Sequence, residues 1–258
     1  MSHAAVPSAA LFGRVVVEPA YKAVSAAIER AIVDGTLATG AALPTEHELA
    51  GRFGVHRSTV REAIRQVEQE GLLQRREGRR LFVCRPGMQD LAPRATRLLL
   101  LQQTTFRELY ELAVSLEPVA ARLAAQHQQP QDLQALRDNL ESAAAAAGDD
   151  ARQVRLDVAF HALVGRATHN HALMLAREAI GLLYAPTLSR IFERLPQASA
   201  RNRDAHRHIV AALEARDADA AHEWMRKHLV DFHRGFSMAG LDLASPIDSL
   251  VPPHPHHD

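Results

Sequence analysis

The sequence predicts a mainly α fold in two parts, an N-terminal helix-turn-helix with a hairpin wing and a C-terminal all-α antiparallel helical bundle. Three observations carry this. Two short helix-start signals flank a glycine turn between Leu43 and Gln69, a short basic β-hairpin pattern follows to Val83, and strand signals then vanish for the rest of the 258 residues. Nearly half of the residues are hydrophobic (47%) while aromatics make up 5%, so two helix-rich cores can be filled.

Residues 1–17 show no periodicity and are expected to be a disordered arm. From Tyr21 the apolar residues Val24, Ile28, Ala31 and Ile32 lie on one helical face, ending at Gly35. Leu43-Pro44-Thr45 starts the next helix, because Thr45 and Glu48 have capping-box spacing, and Gly54 supplies the turn. A second helix opens at Arg57, where Thr59 and Glu62 repeat that spacing. Val60, Ala63, Ile64 and Val67 form its inner stripe, which leaves Arg57, Ser58, Thr59, Arg61 and Arg65 on exposed first turns, the part of a recognition helix that enters a major groove. Residues 72–83 then read as two strands around Gly78, with Arg79 in the basic turn, which makes a wing.

The chain carries no formal net charge, yet residues 52–85 hold nine arginines against four glutamates. Phosphate binding follows such a local excess rather than the overall balance. The competing reading, a merely solvated helix face, leaves the excess unexplained. The boundaries expected are 18–85 for the DNA-binding domain, 86–89 for a Pro-Gly linker, 90–240 for the helical domain and 241–258 for a disordered, proline-containing tail. Helical spacing runs over 90–101, 105–126, 132–147, 149–168, 171–195, 200–215 and 217–239, with breaks at Pro130, Gly148, Asn170, Pro196 and Asp217. A single cysteine, Cys84, excludes an internal disulfide. With no signal-peptide pattern and no long apolar run, this leads to the expectation of a cytoplasmic protein without a membrane.

With 15 histidines, position must separate meaningful clusters from chance. Asp157 and His161 are four apart on a face shared with Phe160 and Val164, and His206 shares a stripe with Ile209, Val210 and Leu213. His228 shares another with Ala221, Met225 and Phe232, whereas His208 and His222 fall on outer sides. Burying one carboxylate and three imidazoles is costly unless they have partners, and a shared divalent cation removes that cost. Nitrogen and oxygen donors suit zinc, nickel, iron or manganese. The bland alternative is three core histidines, each bonded to a backbone carbonyl.

The stretch LPTEHELAGRFGVHRSTVREAIRQVEQEGLL, within 21–83, resembles the winged-helix DNA-binding domain of the GntR transcription regulators. The resemblance implies DNA contacts at Arg57, Ser58, Thr59, Arg61 and Gly78. His47 stands where that family usually has arginine, and Arg80-Leu81 where its wing usually has glycine-threonine. The stretches LYELAVSLEPVAARLAA, LDVAFHALVGRATHN and DAHRHIVAALEARDADAAHEWMRKHL, within 90–238, resemble the FCD domain of the FadR-type branch. That resemblance implies a metal held by Asp157, His161, His206 and His228, zinc first, with a small organic acid completing its shell. Ala113 replaces an arginine usual in that branch, so either the effector is uncharged or differently placed, or another arginine compensates. The reading that follows is a homodimeric repressor on a palindromic operator, controlled by a carboxylate effector. The alternatives are a regulator sensing the metal itself and a metal-dependent hydrolase, the latter without an H-E-x-x-H motif or a separate buried base.

Overall fold

A computed structural model describes residues 18–76, 80–85 and 96–250. The expected arm 1–17, the linker 86–89, Gly78, Arg79 and the end of the tail from 251 lie outside these residues. The chain divides after Asp90 into two compact units.

In the first unit, α1 (Ala20–Val33), α2 (Glu46–Phe53) and α3 (Arg57–Gln69) are followed by β1 (Leu73–Arg76) and β2 (Arg80–Val83). The Thr45 capping box forms as expected: Thr45 Oγ1 accepts from the Glu48 backbone N–H and Glu48 Oε2 accepts from that of Thr45. Gly54 ends α2 in the left-handed conformation (φ 65°), which lets α3 leave at once. The expected second box does not form. The N-cap of α3 is His56, without a side-chain cap, so Thr59 lies inside the first turn and its hydroxyl is left for other partners. Val60, Ala63, Ile64 and Val67 are all buried and pack with Val24 and Ile28 of α1 and with Leu49, Leu73 and Val83. β1 and β2 pair antiparallel with Leu73 opposite Val83, and β2 is tied to the segment before α2 through Leu43 N–H to Leu81 O (2.9 Å).

The second unit is helical among the described residues: α4 (96–101), α5 (Phe106–His127), α6 (Pro130–Ala145), α7 (Asp150–Ala167), α8 (His171–Arg194), α9 (Gln197–Glu214) and α10 (Ala218–Met238). Two starts move earlier than expected, because Pro130 takes the first position of α6 and Pro196 caps α9, both places where a missing N–H costs nothing. A core of α5, α6, α7, α9 and α10 side chains centres on Phe160, Leu136, Ile209, Leu213 and Met225. No helix among the described residues is long and apolar enough to cross a membrane.

The disordered tail expected from 241 is corrected for its described part. Residues 241–249 return to α5, whose first N–H groups need acceptors: Phe106 and Arg107 N–H donate to Ser245 O and Leu243 O, at 3.2 and 2.9 Å. Ile247 is buried and Leu241 and Leu243 pack beside it against Phe106 and Phe236. Three of the four prolines that signalled disorder lie beyond this segment.

Candidate functional site

The helical unit gathers donors from three helices. α7 carries Asp157 and His161 one turn apart, α9 carries His206, and α10 carries His228, and one ligand atom from each lies within 4.8 Å of all the others. Asp157, His206 and His228 are buried, and His161 is half-buried. The His206 ring stacks on Phe160 with centroids 3.7 Å apart, which holds it on the core side. Asp157 Oδ1 accepts from Asn202 Nδ2 at 2.8 Å.

The donor set fits a metal ion on three grounds. His206 Nε2 is buried, lies 3.4 Å from Asp157 Oδ1, and makes no hydrogen bond among the described residues. His161 Nε2 and His228 Nε2 face each other at 3.1 Å. Ligands held at about 2.0–2.1 Å from one ion stand roughly 3.0–3.4 Å apart, so these separations suit a common cation. Finally, burial lowers the basicity of His206 and His228, the latter well below the usual imidazole value, which keeps both neutral as ligation requires. Burial works to raise the Asp157 carboxyl, yet the adjoining imidazoles of His206, His161 and His228 outweigh it and hold this group ionised. His208, read from the sequence as outward-facing, is exposed, lies 3.8 Å from the exposed Asp204, and is not among the four clustered donors.

Two residues that the sequence reading passed over complete the site. Glu117 on α5 accepts from Arg177 on α8, whose Nε and Nη2 reach Glu117 Oε1 at 3.1 and 2.9 Å. Its other oxygen, Oε2, stands 3.1 Å from His161 Nδ1. Both charged side chains are only 4% exposed. A carboxylate on Nδ1 fixes the tautomer that turns the Nε2 lone pair toward the cluster, the usual support of a metal-binding imidazole. Burial pushes the His161 pKa down but Glu117 more than reverses it, and burial likewise raises Glu117 before His161 and Arg177 pull it below the ordinary carboxylate range. A signal for both existed. Glu117 continues the Leu109 and Ala113 stripe of α5, and Arg177 lies three residues before the buried Ile180. A partly open cleft beside the cluster, about 460 Å³ including the space open to solvent, is lined by Ala113, Glu117, His161, Arg177, Asn202 and Phe232 among others.

On the first unit His47, Arg57, Ser58, Arg61 and Arg65 are exposed and Thr59 is half-buried. Glu46 at the start of α2 receives Arg61 Nε and Nη2 (3.3 and 3.0 Å), with Arg57 at 3.9 Å. This pairing holds Arg61 across from α2, and the Glu46 hydrogen bond keeps the Arg61 guanidinium firmly protonated. Arg65 pairs with Glu62 (3.3 Å) and Arg75 with Glu68 (3.0 Å). These pairs are exposed, so they are weak and can exchange for phosphate.

A capped two-helix head with a basic second helix and a hairpin wing, in one chain with a helical domain, defines a DNA-binding transcription regulator. Residues 20–83 match the family of bacterial regulatory proteins of the gntR family and residues 108–231 match the FCD domain. Over 162 residues the chain is 34% identical to an HTH-type transcriptional regulator of Mycobacterium tuberculosis, a match covering 62% of this chain and 64% of that protein. It is 28% identical over 244 residues to the Glc operon transcriptional activator of Escherichia coli K12, covering 91% and 95%. It is also 28% identical over 203 residues to the transcriptional repressor NanR of Salmonella newport, covering 74% and 75%. A solved structure, Streptococcus agalactiae GntR, superposes with a TM-score of 0.60 at 26% identity, over 83% of this chain and 99% of that one. The chain belongs to the GntR family, with an FCD domain as in its FadR-type branch, and is a DNA-binding transcription regulator rather than an enzyme.

Proposed function

We propose that this regulator binds a palindromic operator as a homodimer, holds a divalent metal through Asp157, His161, His206 and His228, and releases DNA when a small organic acid binds beside that metal. The observation that carries the reading is the convergence of these four donors with the buried, unbonded His206 Nε2 among them. Zinc is the first choice for nitrogen and carboxylate donors, with nickel, iron and manganese compatible. Bound there, the ion would supply a Lewis-acidic position for a ligand oxygen, while Glu117 orients His161 and Asn202 orients Asp157.

DNA contact is assigned to Arg57, Ser58, Thr59, Arg61 and Arg65 of α3, to His47 of α2, and to Gly78 and Arg79 of the wing. One winged helix reads only a few base pairs, so a dimer on a palindrome doubles the contacts. Relatives are named both activator and repressor. Repression is the simpler reading because it needs only occupancy of the operator. Such a regulator acts where the DNA is, in the cytoplasm. The functional domains are 18–85 and 90–240, the second extended by the segment that returns to α5.

The effector can change DNA affinity only by binding one arrangement of the dimer more tightly than another. The test is protein purified without chelators, assayed for bound metal by mass spectrometry and for operator binding by mobility shift, with and without added organic acids. About one metal per chain, lost in H206A, and an acid-dependent release of DNA are expected. Operator affinity that tracks metal concentration with no acid present would replace the effector by the metal as signal.

A further inference from the structure

Arg177 is a fixed positive charge lining the cleft beside the donor cluster, and holding Glu117 uses only part of its donor capacity. The fold makes room for it deliberately: a Cβ on Gly165 of α7 would lie 2.8 Å from Arg177 Cδ, so the arginine stem runs over a position that only glycine leaves open. Glu117 takes the Nε and Nη2 edge of the guanidinium. Arginine has five N–H donors, so the remaining edge can grip a second anion. The apolar side chains of Ala113, Val158, Ile180, Leu188, Leu229 and Phe232 line the same cleft.

The charges of the loaded site are countable. Asp157 and Glu117 bring two negative charges, Arg177 one positive and a divalent ion two more, while ligating histidines are neutral. One positive charge is left over in a buried site, and a single negative charge on the ligand cancels it.

We propose that Arg177 is the anion anchor of this regulator and that its effector is a small monocarboxylate with an apolar remainder, its carboxylate shared between Arg177 and the metal. This rests on the metal reading above. A dianion would leave the cleft negative, and a neutral analogue would leave the guanidinium edge unmatched.

Isothermal titration of the zinc-loaded full-length protein with butyrate, succinate and butyramide tests this, the three having four carbons each. Butyrate binds at least tenfold more tightly than the other two. The double variant E117Q/R177Q removes both charges, leaves the loaded cleft with the same net charge, and spares the four ligands. Glu117 also steadies His161, so the variant is titrated at saturating zinc, and in that loaded form it loses at least tenfold in butyrate affinity. G165A keeps every charge but displaces the arginine stem, and it loses affinity likewise. A parent that takes up no zinc sinks the metal reading and the charge count with it. A zinc-loaded parent that ignores butyrate or prefers succinate, or variants that hold zinc and bind butyrate as tightly as the parent, sink only the present inference.

Discussion

Replacing Arg177 by methionine isolates what the buried ion pair contributes to stability. Glu117 and Arg177 are each 4% exposed, and the substitution removes the 2.9 and 3.1 Å hydrogen bonds that compensate the Glu117 carboxylate. Breaking one side of such a pair typically costs about 3–5 kcal/mol, because a charge is left buried. Glu117 keeps one partner, His161 Nδ1 at 3.1 Å, so the expected loss is at the lower end, about 3 kcal/mol. Removing the second charge as well, in E117Q/R177M, should recover at least about 2 kcal/mol of it, since no bare charge remains. The sole tryptophan, Trp224, lies on α10, so its fluorescence follows unfolding of the helical unit alone. With a urea slope of about 2 kcal/mol per molar, the single variant moves the midpoint down by about 1.5 M, measured in the presence of chelator. A single variant within about 1 kcal/mol of the parent, or a double variant no more stable than the single, would refute the placement of this pair as a desolvated ion pair.

The other expectations use the same full-length protein. Arg61→Ala should lose about 1–3 kcal/mol of preference for the operator over a scrambled duplex, read by fluorescence anisotropy at fixed salt, and an equal loss on both duplexes would make Arg61 a phosphate contact instead. Zinc at about a hundred times its dissociation constant should add about 2.7 kcal/mol to the stability of the helical unit, and the same addition to H206A or D157N should add far less. Without metal, acidification should destabilise this unit. His206 and His228 are held below 6.5 by burial, so the unfolded chain takes up protons first and stability falls as pH drops through 6.5. Asp157, held below its usual 3.8, adds a further loss at still lower pH. His161 is raised and works the other way, contributing stability below 6.5 that is lost as pH rises through its folded value. With two imidazoles against one, a Trp224 melting temperature that is higher at pH 5.5 than at 7.5 in chelator would show the balance to be reversed.

The parts of this protein that could be read from the sequence are those fixed by short spacing. The Thr45 and Glu48 box needs only four residues, and the α3 stripe only two turns, so local periodicity sufficed for both. The histidine and aspartate positions were legible for the same reason, each by its place on an inward stripe, though their meeting point depends on how α7, α9 and α10 pack. His56 as the cap of α3 was not legible, because its side chain makes no cap bond and leaves no signature. The return of residues 241–249 was hidden by composition. Its three large apolar residues, Leu241, Leu243 and Ile247, are too few for a periodic signal, and what binds the segment is a complementary surface and the free N–H groups of α5, which are properties of another element.

Glu117 and Arg177 were legible by the same inward spacing that marks the histidines. Both charged side chains sit on inward stripes as the three histidines do, Glu117 four residues after the buried Ala113 and Arg177 three before the buried Ile180. A full charge on an inward stripe must find an opposite charge or a metal, because burial without one costs several kcal/mol. Glu117 on α5 and Arg177 on α8 therefore imply each other although 60 positions separate them. Ala113 and Arg177 line one cleft, so a positive charge on α8 faces the same space as the position where α5 carries alanine. What the rule leaves open, and only packing decides, is which acceptor each donor faces. Here Glu117 divides its two oxygens between Arg177 and His161, so the arginine and the four-donor cluster share one carboxylate.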